Sequence, residues 1–366
     1  MQVDLDKSFE LMKQLHFSLL NFIDDQENTD EKFLQTILDK YKIKENKYYL
    51  ISVLHFITKI ADSHHRSNCF FNKLEKILKY LQNEIRQYLI NSEIFNIFKS
   101  NYRILLFLIH ENIMTIDQYI ADQLKIYSKN IKYFWPEIKE FIKDEWIQDS
   151  NQVLPEDFDE KRKIGENDSQ ICQLIRKDSV DEFISYCKKE KYQLNSLIEY
   201  SIYETNSFLI KRERVTLIEY AAFFGSIQIF KYMRSKKVIE NDSLYTYAVH
   251  GNNLEIIDLI EKNNHKMMKR SCEQYLFESL QFHNNEMTNH IKNKYFSKGK
   301  SLYIEHLIKK SLKNHNLGFI DASLINESSF FYLTQYDYPL FVDILLKTKN
   351  INVNEKVIRV VFIILV

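Results

Sequence analysis

Glycine and proline are the residues that most often punctuate a fold, and this chain has very few: 5 Gly and 3 Pro in 366 residues, against roughly 7% and 5% in average usage. Folds that depend on many tight turns or glycine loops, such as β-sandwiches, dinucleotide-binding sheets and phosphate loops, are therefore disfavoured. Helices joined by short polar turns remain. With 45% hydrophobic and 27% charged residues, the chain can bury a core and is not expected to be disordered.

Helical periodicity is present from the start. Leu5, Phe9, Met12, Leu15, Leu19 and Phe22 step by three or four and share one helix face. So do Phe70, Leu74, Ile77, Leu81, Ile85 and Leu89, with Ser67 and Asn68 placed to cap them. Thr115 and Gln118 have the spacing of a capping box, and Trp135-Pro136 suits a first helical turn. Residues 1–147 thus read as an N-terminal domain of about seven or eight short amphipathic helices. Residues 148–168, with Pro155, Gly165, many charges and no apolar period, read as a linker. A helical array over 169–356 and an apolar tail over 357–366 complete the expected organisation.

Acids and bases balance at 50 each, so no long-range field draws the chain to nucleic acid or to an anionic membrane. Short basic clusters such as Lys188-Lys189, Lys236-Lys237 and Lys309-Lys310 suit solvated helix ends. Cys69, Cys172, Cys187 and Cys272 are scattered without CxxC pairing and read as reduced thiols. The acidic, amphipathic N-terminus lacks the order of a secretory signal, and no apolar run reaches the 18 or so residues of a membrane span. A cytoplasmic protein is expected.

Self-similarity narrows the fold further. "TLIEYAAFFGSIQIFKYM" from Thr216 aligns without a gap on "SLYTYAVHGNNLEIIDLI" from Ser243, 27 residues on. Thr216 and Ser243 can cap a first helix, and Ala221, Ala222 and Ala248 keep it thin. Gly225, aligned with Asn252, can end that helix in the left-handed conformation. Ile229, Phe230 and Met233 then form the buried face of a second helix. "DSVDEFISY" from Asp178 is a weaker copy of "GSIQIFKYM", residues 272–295 keep the two-helix layout, and Asn350–Asn354 supply a closing turn.

These residues resemble the ankyrin repeat, whose signature is T-P-L-H-x-A-A-x-x-G followed by an apolar helix. The resemblance spans about residues 170–354 and is specific at 210–262. The chain also looks like the divergent ankyrin proteins expanded in parasitic protists. It departs from the signature where Leu217 or Leu244 replaces the proline and Glu219 or Thr246 the histidine. The short, glycine-free loop from Met233 to Ser243 leaves no room for a projecting hairpin. The resemblance implies an α-solenoid of stacked helix pairs whose surface binds another protein.

Little chemistry competes with that expectation. His64-His65 with Cys69 offers no second ligand pair for a metal. Cys187 lacks a neighbouring base, and His55 and His110 sit among apolar residues as packed side chains do. Gly225 and Gly251 are isolated rather than parts of a phosphate loop. No catalytic residue, cofactor or metal is expected. The expected function is a protein-interaction scaffold, with Lys211, Arg212, Glu213, Arg214, Glu219, Lys236 and Lys237 as candidate partner contacts, although a solvated loop accounts equally for their charge. The alternative is an enzyme or nucleic-acid-binding module within 1–147, with the repeats as its targeting arm. The apolar segment Val360–Val366 adds possible self-association.

Overall fold

The computed structural model describes residues 2–25, 31–61, 70–126, 128–143, 154–212, 214–263, 265–296 and 301–348. These residues are all-helical, with no strand. The one isolated bridge among them pairs Leu197 with Thr216 in antiparallel fashion. No described helix is long and apolar enough to cross a membrane. The apolar tail, the Asn350–Asn354 turn and the His64-His65-Cys69 cluster lie outside the described residues, as do the Ser67 and Asn68 caps.

A chain so poor in glycine still has to stop its helices, and it does so with other residues. Asn112, Asp178, Lys191, Lys237, Asn252, His283, His315 and Asp337 all adopt positive φ, alongside Gly165 and Gly225. At most of these positions the next amide donates to the carbonyl five residues back: Ser179 to Leu174 (3.2 Å), Ser226 to Ala221 (2.9 Å), Asn284 to Ser279 (3.0 Å), Asn316 to Ser311 (2.9 Å) and Tyr338 to Leu333 (2.9 Å). This is the Schellman closure, which satisfies carbonyls left open at a helix C-terminus. Asp178, Gly225 and Asn252, aligned in the sequence, share the left-handed conformation at φ 52°, 62° and 44°.

The aligned helices run Leu217–Phe224 with Ile227–Ser235, and Leu244–Gly251 with Leu254–Asn263. Thr216 makes the expected capping box with Glu219. Ser243 does not cap its own helix: its backbone is already in the right-handed helical region (φ −72°, ψ −19°) rather than the extended one a cap adopts, and its hydroxyl donates to the Glu219 carboxylate. Asp178 caps the helix of the next copy, accepting from Gln228 and Ile229 amides at 3.0 Å each. Replacing Gly225 by Val should destabilise by roughly 1 kcal/mol or more, since a β-branched residue is strained at positive φ. Replacement by Asn should cost much less. Urea midpoints of the two variants check this.

The described residues group into two compact units. The first gathers residues up to 60, 70–80 and 279–348. Its core includes the helix Gln2–Asp24, whose Leu5, Phe9, Met12, Leu15, Leu19 and Phe22 are all buried as expected. The Phe9 ring lies 5.8 Å from that of Phe341, so early and late segments share one core. Buried Lys73 donates to the Phe22 carbonyl (2.6 Å) and to that of Asp25, placing a cation on the C-terminal end of that helix.

The second unit takes Ala61 and the described residues from 81 to 278. This division differs from the boundaries drawn at 147 and 168. From residue 154 the stretch read as a linker is part of this unit, with a helix at Phe158–Ile164. Buried Arg162 donates to Glu137 at 2.7 and 3.0 Å and to the Tyr133 carbonyl at 2.8 Å. Charge density hid an amphipathic turn, with Phe158 and Arg162 four apart on its inner face. Two other expectations fail locally. Asp117, not Thr115, caps the helix Gln118–Lys125, because Thr115 is held by Asn91. The run Phe70 to Leu89 keeps its six apolar residues buried but breaks into two helices at Leu81.

Candidate partner-binding edge

In the second unit the two inner helices are thin and, apart from Phe224, buried: Ala221, Ala222 and Ala248 have no exposure. Small side chains let the helices lie close, and aromatic rings seal their margin. Phe208 stacks on Phe223 at 5.5 Å and meets Tyr247 edge-on at 5.1 Å. Asn206 caps the short helix Ser207–Ile210 that carries Phe208. Arg212 covers this cluster, its guanidinium 4.7 Å from the Phe208 centroid.

An extended segment borders these helices. The Ile198 amide donates to Val215 (2.8 Å) and the Leu217 amide to Ser196 (3.2 Å). They flank the Leu197–Thr216 pair, which is the non-hydrogen-bonded kind, so the Leu197 amide and carbonyl point away from residues 215–217. No hydrogen bond engages them among the described residues. At the other end the Ile239 amide donates to the Asn195 side chain at 2.9 Å, tying the next loop to the same edge.

Three apolar side chains stand out along this edge: Leu197 at 36% exposure, Tyr200 at 72% and Ile239 at 66%. Single exposed apolar residues are ordinary; three on adjoining loops joined by that hydrogen bond make a candidate apolar patch. Lys211, Arg212 and Arg214 lie exposed beside its Val215 end, and Lys236 and Lys237 beside Ile239. Lys237 is the left-handed residue ending the helix Ile227–Ser235, while Glu240 is engaged by Arg234 at 2.6 Å.

Five of the seven sequence-expected contacts therefore border the patch. Glu213 lies outside the described residues. Glu219 does not reach the surface: it is 1% exposed, accepts from the Thr216 amide and hydroxyl at 2.9 and 2.8 Å, and joins the starts of both inner helices through Ser243. A charged letter in the signature's histidine position is thus an internal tie. Leu197, Tyr200 and Ile239 were missed, because an aperiodic polar stretch gives no sign of which apolar residue stays outside.

Nothing at this edge resembles a reactive centre. Burial pushes the Cys172 and Cys187 thiols up to about 11, so neither is a ready thiolate at neutral pH. His110, expected to be packed, sits partly exposed at a helix end and bonds Glu137 at 3.2 Å. No protein-family model, no curated protein and no solved structure matches the chain.

Proposed function

We propose that the chain is a binding scaffold of divergent ankyrin-type helix pairs, and that the 195–200 edge of the second unit takes an extended, acidic segment of another protein. The supporting observation is the coincidence of an outward-facing Leu197 backbone with the exposed Leu197, Tyr200 and Ile239 side chains. Unused main-chain groups at an edge recruit an extended peptide, and alternate side chains then read its sequence. Flanking Lys211, Arg214, Lys236 and Lys237 favour a partner that carries carboxylates. The left-handed turns shared by Asp178, Gly225 and Asn252 support the repeat reading, and arrays of such pairs present extended binding surfaces.

Affinity capture from the native cell tests this with wild type and a Tyr200→Ser/Ile239→Ser variant in parallel. Both positions are exposed, so folding should change by no more than about 0.5 kcal/mol. A partner retained by wild type and lost from the variant is the expected result. A set of partners identical for both proteins would refute the assignment of this edge.

A further inference from the structure

The first unit contains a cleft that the scaffold reading does not use. Its outer part is a bowl of about 330 Å³. One wall is the helix Asn285–Tyr295, which turns Asn285, Asn289 and Lys292 toward the bowl; their spacing of four and three places them on one face. Phe17 of the first helix, 38% exposed, and Phe319 supply aromatic walls, with Asp321 at the rim. Behind the bowl lies a small chamber, large enough for about one water, bordered by His16, His315 and Asn316.

Two features indicate that something enters. His315 is 2% exposed, borders the chamber, and its Nδ1 has no hydrogen-bond partner among the described residues. Its ring is fixed between those of His55, 4.7 Å away, and Tyr338, 4.6 Å away. A buried nitrogen left unpaired costs about 1–3 kcal/mol, and the chamber has room for the one water or polar tip that would pair it. The second feature is Gly318, which lines both chambers. A Cβ there would stand 3.1 Å from Phe17 Cζ, 3.2 Å from Asn316 Oδ1 and 3.7 Å from Asn285 Nδ2, so the missing side chain leaves the passage open. Asn285 Oδ1 accepts from Asn316 at 3.1 Å, which leaves its amide hydrogens to the cleft.

We propose that this cleft binds a small anion carried on a flat ring, the ring against Phe17 and Phe319 and the anionic group on Lys292 and the Asn285 and Asn289 amides. Lys292 brings the charge, and the two amides orient the oxygens. The aromatic walls account for selection of a ring over a bare anion. Asp321, across the rim, admits a hydroxyl or amine on the ligand and disfavours a second negative group. His315 at the end of the passage receives a polar tip or the water behind it.

Calorimetric titration of the full chain with phenyl phosphate, and with inorganic phosphate alone, tests the site. Phenyl phosphate should bind at least tenfold more tightly than inorganic phosphate. Lys292→Gln should weaken it at least tenfold, and Gly318→Ala should weaken it while leaving the circular dichroism unchanged. Asn289→Ala, on an exposed residue, provides a second variant if either of these fails to fold. Equal affinities for the two probes, no heat with phenyl phosphate, or affinity indifferent to these changes would overturn the assignment.

Discussion

Lowering the pH from 7 to 5 should remove several kcal/mol of the first unit's stability. His16 is 5% exposed, donates or accepts at 3.1 Å with Ser52 through Nε2, and stacks on Phe56 at 4.5 Å. Burial pushes its pKa down to about 3. His315 is held well below the ordinary value by burial and by the facing His55, Lys59, His16 and His283. Both folded-state values lie below the unfolded one, so at acid pH the unfolded chain binds protons that the folded chain refuses. Stability is complete above the unfolded value near 6.5 and falls as the pH drops through it. For His16 alone the loss by pH 5 is about 2 kcal/mol. His315 adds to it, and in the second unit His250, pushed down to about 4 by burial, acts in the same direction. Urea midpoints at the two pH values check this, with His16→Gln as the variant that should flatten the dependence. A midpoint that does not move between pH 7 and 5 would mean that these imidazoles are hydrated.

Arg162→Met is the single substitution expected to cost most, about 3–5 kcal/mol. Arg162 is 1% exposed; besides Glu137 and the Tyr133 carbonyl it bonds Asp159, and its guanidinium lies 4.8 Å from the Phe158 centroid. Removing it takes both guanidinium bonds from the Glu137 carboxylate, whose side chain is only 10% exposed and keeps only the His110 contact, and frees the Tyr133 carbonyl. The loss comes from uncompensated burial rather than from the pair's own net attraction. Arg162→Met/Glu137→Leu should therefore recover much of the stability, a sign that a simple contact deletion would not produce. Chemical denaturation of the two variants against wild type distinguishes the two cases.

Both expectations arise where the sequence was hardest to read. The helical class and most apolar faces were legible, since Leu5 to Phe22 and Phe70 to Leu89 are buried with a regular period. So was the left-handed turn at Gly225 and Asn252, because few residues tolerate it. Periodicity shows which face is buried but not what covers it, so nothing revealed that the described residues of 2–60, 70–80 and 279–348 share a core. Arg162 was read as linker charge because its partners, Tyr133 and Glu137, lie outside the local pattern. The same limit applies to His283 and His315. Each ends a helix through positive φ, a backbone role that composition does not announce, and both rings face a chamber lined by the first helix. At the candidate edge the cations were visible as a charge run, whereas the apolar residues between them became visible only when the loops were placed side by side.

Selection of a random peptide library on the full chain tests the proposed edge most directly. The enriched sequences should combine acidic residues with alternating apolar ones. Their binding should fall at least tenfold on the Tyr200→Ser/Ile239→Ser variant, and their presence should protect the Leu197 amide from hydrogen exchange. Enriched peptides that are basic or helical, or that bind both proteins equally and leave Leu197 exchanging freely, would contradict it.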